Sequence, residues 1–214
     1  MPVERRQALT ARANAYASQV DKAMPYLLDR GISKPVAEMF NLGYGLRDEN
    51  DYEARLTIPY VTPAGVVHIK YRCVNPSHHD GDKHAHADCP KYLYEAGGTQ
   101  HHLYNAQVLI HSADTVVLTE GELDAVCVQA YCGLPAVAFP GVDSWTAHPH
   151  WALCFEGVSE VIVVADGDEQ GRKAAQRVAK SIGMAARIVE MPIGFDSNKY
   201  IAGQGAQAFI ERLA

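Results

Sequence analysis

The sequence predicts an α/β fold in which an open, mainly parallel β-sheet follows a smaller α+β region. Apolar runs at residues 116–119 and 160–165 are each followed directly by a helical pattern, and this alternation is typical of a parallel sheet. Upstream, two β-branched runs flank the turn signal Thr62-Pro63-Ala64-Gly65, which predicts an antiparallel hairpin. The two halves of the chain are therefore expected to differ in architecture.

Three helices and the hairpin account for the first half. Residues 5–22 are rich in Ala and charge and lack Gly and Pro, which favours a helix. Pro25 opens a second helix that Gly31 ends, and Ser33 caps a third. The hairpin strands are predicted at residues 55–61 and 66–73.

Strands and helices alternate in the second half. Strands are predicted at residues 116–119, 136–139, 160–165 and 186–190. Helices are predicted at residues 122–130, 149–154, 169–182 and 206–213, with Gly133 and Gly183 as stop signals. A loop that carries Asp196 and Asn198 is expected after the last strand.

The composition is that of an ordinary soluble globular protein. The chain has 214 residues, 48% of them hydrophobic and 21% charged, which suits one domain or two small ones. A net charge of -6 argues against a uniformly basic surface for nucleic acid but leaves room for a local basic groove. The five scattered cysteines, the absence of a membrane-spanning run and the lack of a secretory signal predict a cytoplasmic protein with reduced thiols.

Carboxylates stand at two strand-to-helix junctions. Glu120 follows one apolar run, and Asp166 and Asp168 follow another. Ligands of open α/β sheets lie beyond the carboxyl ends of the strands, and residues two apart in an extended chain face the same way. Because Mg²⁺ prefers oxygen ligands, whereas Zn²⁺ favours His and Cys, these acids predict a hard-cation site.

Helix capping is the alternative interpretation, since acids are favoured near helix N-termini. One junction alone would favour capping. Both together favour the cation site, because Gly121, Gly167 and Gly171 let the backbone approach a ligand.

The order and spacing of these residues carry a resemblance to a known domain. The motifs are Glu120-Gly121-x-x-Asp124, Asp166-x-Asp168-x-x-Gly171 and Asp196-x-Asn198, with Gly141 after the second strand. They resemble the Toprim domain, a Rossmann-like fold shared by bacterial-type primases, topoisomerases and some nucleases. The resemblance covers residues 114–202.

The first half resembles the N-terminal part of the bacterial-type primase catalytic core. The matching segments are Tyr26-Leu27-Leu28 with Arg30-Gly31-Ile32, Leu56-x-Ile58-Pro59-Tyr60, Pro90-Lys91-Tyr92-Leu93 and Leu103-Tyr104-Asn105. In that family this part helps to form the cleft for template and nucleotide, and Arg72 and Lys91 match basic positions of the cleft. Tyr94 and Ala106 depart from the family, which usually has Asn and Lys there.

Further polar residues are candidates for binding nucleotide or DNA. His68, Lys70 and Arg72 fall on one face of a hairpin strand, where they could hold phosphates or form a solvated face. Asn105 belongs to the primase-like segment, and Arg172 lies at the start of a helix, where it could reach phosphate or face solvent.

The segment 73–89 is a polar loop dense in His, Asp and Cys. It offers Cys73, His78, His84 and Cys89 as a tetrahedral zinc set, with His79 and His86 as alternatives. The tight Cys-x-x-Cys spacing of well-defined zinc motifs is missing, which favours a mobile surface loop instead.

The resemblance implies a DNA primase core, a nucleotidyltransferase that makes short RNA primers from NTPs on single-stranded DNA. It implies Mg²⁺ or Mn²⁺, with two ions, at Glu120, Asp166, Asp168 and Asp196, while Asp124, Asn198, Gly121 and Gly141 support the site. Glu120 would act as a metal ligand or as the base for the primer 3′-hydroxyl. The expected domains are residues 1–110, the Toprim domain at 111–203 and a C-terminal helix at 204–214.

Two motifs of larger primases are missing from the sequence. There is no Cys-Cys-His-Cys zinc ribbon and no Gly-x-x-x-x-Gly-Lys-Ser/Thr ATPase signature. We therefore expect a primase core that stands alone, as a cut piece or a phage-like enzyme. A separate zinc-binding domain and a replicative helicase are its expected partners, in a bacterial or phage-infected cytoplasm.

Two other function classes stay open. The same carboxylates would serve a Toprim metal-dependent nuclease by positioning water instead of a 3′-hydroxyl. A non-catalytic nucleic-acid-binding replication module is the other class. Converging carboxylates argue against it, because their mutual repulsion is costly without a cation.

Overall fold

The computed structural model describes residues 1–48, 51, 53–80, 83–84, 89–95, 102–111, 114–141 and 143–214, and for residues 79, 80, 83, 84 and 111 it describes the backbone only. The chain divides into two compact units, Met1–Thr99 and Gln100–Ala214. They are called the first and the second unit below. In the part of the chain that is described, no helix is long and apolar enough to cross a membrane.

The first unit combines short helices with an antiparallel sheet. Its helices are α1 (Val3–Ala17), α2 (Met24–Asp29) and α3 (Lys34–Met39). The sheet has the order β1-β2-β3-β6, with β1 (Gly43–Gly45), β2 (Arg55–Thr62), β3 (Gly65–Arg72) and β6 (Tyr92–Tyr94). Two further short strands, β4 (His79–Asp80) and β5 (Lys83–His84), pair with each other.

Helix α1 covers one face of this sheet. It buries Leu9 and Ala13 against Val66, Ile69 and Tyr71 of β3. The hairpin is confirmed, with Leu56 opposite Arg72. On the other side of β3, Arg72 lies opposite Tyr92 of β6. The start of β2, the end of β3 and the start of β6 therefore lie side by side.

The second unit is built around a parallel sheet. In chain order its elements are β7 (Thr115–Thr119), α4 (Glu122–Cys132), β8 (Ala136–Ala138), α5 (Ser144–Ala147), β9 (Glu160–Ala165), α6 (Glu169–Ile182), β10 (Ala186–Glu190), α7 (Ser197–Gln204) and α8 (Ala206–Leu213). The strand order is β10-β9-β7-β8, and every pairing is parallel. The predicted α/β class is therefore confirmed.

The central strands β7 and β9 supply the core of the second unit. Leu118 and Val163 are fully buried side chains of these strands. Trp145 and Trp151 are buried in the same cluster, and the Trp145 indole N–H donates to Ser181 Oγ at 2.7 Å. Both tryptophans therefore belong to the core.

Three predicted elements differ from the structure. The helix predicted at residues 149–154 is a 3₁₀ helix, Pro149–Phe155. The long first helix ends at Ala17, and a 3₁₀ turn, Val20–Ala23, follows it. The loop expected after the last strand contains helix α7, which begins directly after Asp196. A short polar segment of this kind lacks the apolar periodicity that identifies a helix, and tertiary contacts stabilise it instead.

Candidate functional site

Two of the predicted acids lie at one edge of the parallel sheet. Glu120 comes directly after β7, and Asp166 comes directly after β9. These strands are adjacent and parallel, with Leu118 opposite Val163. Because the carboxyl ends of parallel neighbours meet at the same edge, both acids are held there by buried strands.

A returning loop brings Asp196 to the same edge. This loop follows β10 and is bonded to the end of β9. The Gly167 N–H donates to Phe195 O at 2.8 Å, and the Met191 N–H donates to Ala165 O at 2.9 Å. A Cβ atom at Gly167 would lie 1.9 Å from Pro192 O, so only glycine allows this close approach. The loop at residues 191–196 is thus packed on the segment that carries Asp166.

Asp168 and Asp196 both cap helices. Asp168 Oδ1 accepts from the Gly171 N–H at 2.7 Å at the start of α6. Asp196 Oδ1 accepts from the Lys199 N–H at 2.6 Å at the start of α7. The capping interpretation therefore holds for Asp168, and the cap at Asp196 was not predicted from the sequence. A carboxylate has two oxygens, so a cap of this kind is compatible with ligation of an ion.

The electrostatics of this edge favour a cation. Burial, together with the negative charges of Glu120, Asp196 and Asp168, raises the pKa of Asp166 to about 8. A divalent cation would relieve both effects. Four carboxylates are the oxygen donors that suit Mg²⁺ or Mn²⁺, so the chemistry of this set fits the predicted ion.

Asp124 and Asn198 connect two helices beneath this edge. The buried Asp124 carboxylate accepts from the Asn198 N–H at 2.8 Å, and Asn198 Nδ2 lies 2.9 Å from Cys127 Sγ. A Cβ at Gly121 would lie 2.4 Å from Asp124 Oδ2. The resemblance implied that Asp124 supports the site. The backbone amide in α7 is a further partner, one that the sequence did not indicate.

Three more predicted residues lie in the second unit. Arg172 is half-buried in the first turn of α6, and Gly141 is half-buried shortly after β8. Asn105 is buried, and its amide donates to Gln129 Oε1 at 2.5 Å and Ala136 O at 2.8 Å. Asn105 thus has a structural role, and its contact with nucleotide stays a prediction.

The basic residues of the hairpin lie among aromatic rings. His68, Lys70 and Arg72 are 3%, 4% and 5% exposed, so a solvated strand face is wrong for them. Lys70 Nζ lies 4.2 Å from the Tyr92 ring centroid. The Arg72 guanidinium carbon lies 5.2 Å from the rings of both Tyr92 and Tyr26, and Arg72 donates to the Tyr92 hydroxyl.

Aromatic partners hold these cations in place through cation–π contacts. Lys91, in contrast, is exposed, and its Nζ lies 5.5 Å from the Tyr92 centroid. The strand pairing of β3 with β6 places Tyr92 beside the cations, and the sequence did not predict β6.

A second cluster of ligand-type side chains lies in the first unit. Glu53, Cys73, His78 and Cys89 place one ligand atom each within 4.8 Å of all the others, and no second such cluster of His, Cys and acids occurs among the described residues. The structure thus brings together three residues of the predicted zinc set. The side chain of His84, like residue His86, lies outside the described part. Glu53 was missed, because an isolated acid before a strand carries no signal of ligation.

Comparisons with known proteins are consistent with this architecture. The family model described as Toprim-like matches residues 117–201. The chain is 36% identical over 167 residues to the Gene 57 protein of Mycobacterium phage D29. This match covers 76% of this chain and 99% of that protein. It is 30% identical over 139 residues to the DNA primase of Pseudomonas putida, covering 59% of this chain.

The match spans only 21% of the length of the Pseudomonas putida protein. Among solved structures, a crystal structure of a DNA primase domain from Pseudomonas aeruginosa is similar in fold, with a TM-score of 0.76 and 20% identity. It covers 99% of this chain and 78% of that domain.

Proposed function

Since this chain belongs to the family of the phage D29 Gene 57 protein and has a Toprim-type DNA primase core, we propose that it synthesises short RNA primers on single-stranded DNA. The observation that carries the proposal is the group of four carboxylates at the carboxyl edge of the parallel sheet, where burial and the charges of the other three raise the pKa of Asp166. The reaction joins ribonucleotides by phosphodiester bonds and releases pyrophosphate.

Each acid has a defined part in the proposal. Asp166 and Asp168 hold Mg²⁺ or Mn²⁺ from the end of β9, Glu120 does so from the end of β7, and Asp196 helps with a second ion. When bound, such ions neutralise the charge on a triphosphate and align it for in-line attack. Glu120 either ligates or accepts the proton of the primer 3′-hydroxyl.

Basic residues hold the phosphates in the proposal. Arg172 lies at the start of α6, beside the cap residue Asp168. Lys70, Arg72 and Lys91 belong to the first unit, where two of them are fixed by aromatic rings. Lys91 is exposed and would contact phosphate directly, whereas the buried Lys70 and Arg72 would contribute positive charge from the interior of this unit.

Primer synthesis tests the proposal directly. The purified chain is incubated with single-stranded DNA, four NTPs of which one is labelled, and Mg²⁺ or Mn²⁺. Short labelled RNA is expected from the wild type and from the control Asp114→Asn, whose carboxyl is exposed at the opposite end of β7. Asp166→Asn removes a charge with little change of shape and should reduce the product at least about 100-fold.

Other outcomes would reject primer synthesis in favour of another class. Loss of the DNA with Mg²⁺ in the absence of NTPs would identify a nuclease. If the chain neither primes nor cleaves, even with a zinc-binding domain and a replicative helicase added in trans, a non-catalytic replication module is the better description.

The same assay tests the two proposed partners. Full, sequence-directed priming by the isolated chain would show that neither the zinc-binding domain nor the helicase is required.

A further inference from the structure

We propose that Glu53, Cys73, His78 and Cys89 form a structural zinc site in the first unit. The proposal concerns a different ion and different ligands from those of the proposed catalytic carboxylates. It does not depend on primer synthesis, because its evidence comes entirely from the first unit.

The strand topology explains why four residues distant in sequence meet. Cys73 directly follows β3, and its N–H donates to Lys91 O at 3.0 Å, just before β6. Cys89 therefore enters from the β6 side. Glu53 lies two residues before β2, the other neighbour of β3. The site thus joins the entry to β2, the exit from β3 and the entry to β6.

His78 reaches the site by a tight turn. The Asn75 side-chain oxygen accepts from the Ser77 N–H at 3.0 Å and from the Ser77 hydroxyl at 2.8 Å. This starts the 3₁₀ turn Pro76–His78, which turns the chain back toward Cys73. The fourth ligand is therefore placed by local hydrogen bonds.

Four of the six distances between the ligand atoms are close to those around a tetrahedral ion, and all six lie within 4.8 Å. Bonds of about 2.3 Å to sulfur and about 2.1 Å to nitrogen or oxygen separate sulfur from either atom by about 3.6 Å, and nitrogen from oxygen by about 3.4 Å. Cys73 Sγ lies 3.5 Å from His78 Nδ1 and 3.9 Å from Glu53 Oε2. Glu53 Oε2 lies 3.7 Å from Cys89 Sγ and 3.3 Å from His78 Nδ1.

Outer groups orient and balance these ligands. Asn75 Nδ2 donates to Glu53 Oε1 at 2.5 Å, which leaves Oε2 directed at the cluster. The buried Arg55 donates from Nη2 to Cys89 Sγ at 3.1 Å and from Nη1 to Pro90 O at 2.7 Å. Two thiolates and a carboxylate carry three negative charges, and Zn²⁺ with the Arg55 guanidinium carries three positive charges. Outer-shell contacts of this kind are typical of protein zinc sites.

The ligand types select the ion. Two thiolates and an imidazole favour Zn²⁺ and disfavour Mg²⁺, which takes oxygen ligands. Four protein ligands close the coordination sphere, as in structural zinc sites, which keep no position for substrate. The expected role is therefore to hold the ends of three strands together.

Metal content and cobalt spectroscopy test this site on the full chain. The purified wild type should contain one zinc per chain by mass spectrometry after dialysis against metal-free buffer. Replacement by Co²⁺ should produce thiolate-to-cobalt charge-transfer absorption. Both signals should be lost in Cys89→Ser and kept in the matched control Cys154→Ser, whose thiol is exposed outside the cluster.

Milder variants guard against a folding defect. Glu53→Gln and Asn75→Ala should keep the fold and weaken zinc binding about 10- to 100-fold, as measured by competition with a zinc chelator. Three results would overturn the site: a folded wild type that binds neither zinc nor cobalt, equal metal content in Cys89→Ser and wild type, or a Cys73–Cys89 disulfide in the freshly purified protein.

Discussion

Asp166 lies in an environment that differs strongly from that of a free carboxylic acid. It is held at the end of a buried strand, where burial and the charges of Glu120, Asp196 and Asp168 raise its pKa to about 8. Perturbed titration of this kind is common at functional sites. At the residue scale, the ionisation of Asp166 should therefore control both the stability of the metal-free protein and its affinity for cations.

A pH series on the metal-free protein tests this. An unfolded Asp has a pKa of about 3.9, and Asp166 in the fold has a pKa of about 8. Between these values the native state holds a proton that the unfolded state has lost, so the free energy of unfolding falls as pH rises, by at most about 1.4 kcal/mol per pH unit. Above the pKa of folded Asp166, this carboxyl group is ionised in both states. Its effect on the free energy of unfolding then no longer changes with pH.

The variant Asp166→Asn has no titratable group at this position. Its free energy of unfolding should therefore not show this fall with rising pH. Its Tm relative to the wild type should rise as the pH increases through that window and level off above it, while Asp114→Asn should follow the wild type throughout. Thermal unfolding of chelator-treated protein measures this. A Tm difference between Asp166→Asn and wild type that does not change with pH would contradict the raised pKa.

Mg²⁺ should also stabilise the wild type more above the pKa of folded Asp166 than below it, since the ion competes with the proton for this carboxylate.

Helix ends and one loop assemble the acids at the scale of elements. Asp168 caps α6 and Asp196 caps α7, and the loop at residues 191–196 is bonded to the strand end that carries Asp166. The same acids thus fix local structure and contribute to the proposed site. Variants can separate these two roles, because capping requires a hydrogen-bond acceptor and ion binding requires a charge.

The pair Asp168→Asn and Asp168→Ala makes this separation. Asn retains a cap, whereas Ala should lower the free energy of unfolding by about 1 kcal/mol. Both should abolish priming if the charge ligates an ion. Urea unfolding and primer synthesis measure the two effects. Normal priming by Asp168→Asn would leave capping as the only role of this residue.

The loop itself is tested by Gly167→Ala. The added methyl group would lie 1.9 Å from Pro192 O, so the loop must move, at a cost of about 1–3 kcal/mol. Because the loop carries Asp196, priming should fall as well.

Gly203→Ala is the matched control for this substitution. It lies in α7 with no atom within 4 Å of an added Cβ, and it should be neutral or stabilise the protein by up to about 1 kcal/mol. Equal stability and priming for the two variants would show that the loop does not position the site.

At the scale of the whole molecule, the chain forms two units with separate cores. The second unit, Gln100–Ala214, includes segments on both sides of the predicted Toprim domain at 111–203. Leu103 belongs to the core cluster of this unit, Tyr104 forms a bridge with Ala138, and Phe209 of α8 is fully buried. The flanking segments therefore contribute apolar burial to this unit.

Two fragments test where the folding unit ends. A fragment of residues 100–214 should fold cooperatively, whereas residues 111–203 alone should be destabilised by several kcal/mol, because they lack Leu103 and Phe209. Circular dichroism and urea unfolding measure this. Equal stability for the two fragments would favour the shorter domain, and failure of the longer one to fold would show that it depends on the first unit.

Local patterns were sufficient to predict much of the second unit. The bounds of β9, β10, α6 and α8 agree with the predicted residues. An apolar run, a helical period and a terminal glycine are properties of neighbouring residues, so they can be recognised before the chain is folded. The strand-end positions of Glu120 and Asp166 follow from the same patterns.

Contacts between distant residues were decided only by the tertiary structure. Strand register placed Tyr92 beside Lys70 and Arg72, and the path of a loop brought Asp196 to Asp166. Pairing of β3 with both β2 and β6 joined Glu53 to the cysteines, and α7 formed where the sequence indicated a loop. No local pattern specifies such partners, because each depends on pairing and packing between segments far apart in the chain. The sequence by itself thus determined the fold class and the strand-end acids, and the tertiary structure decided their partners.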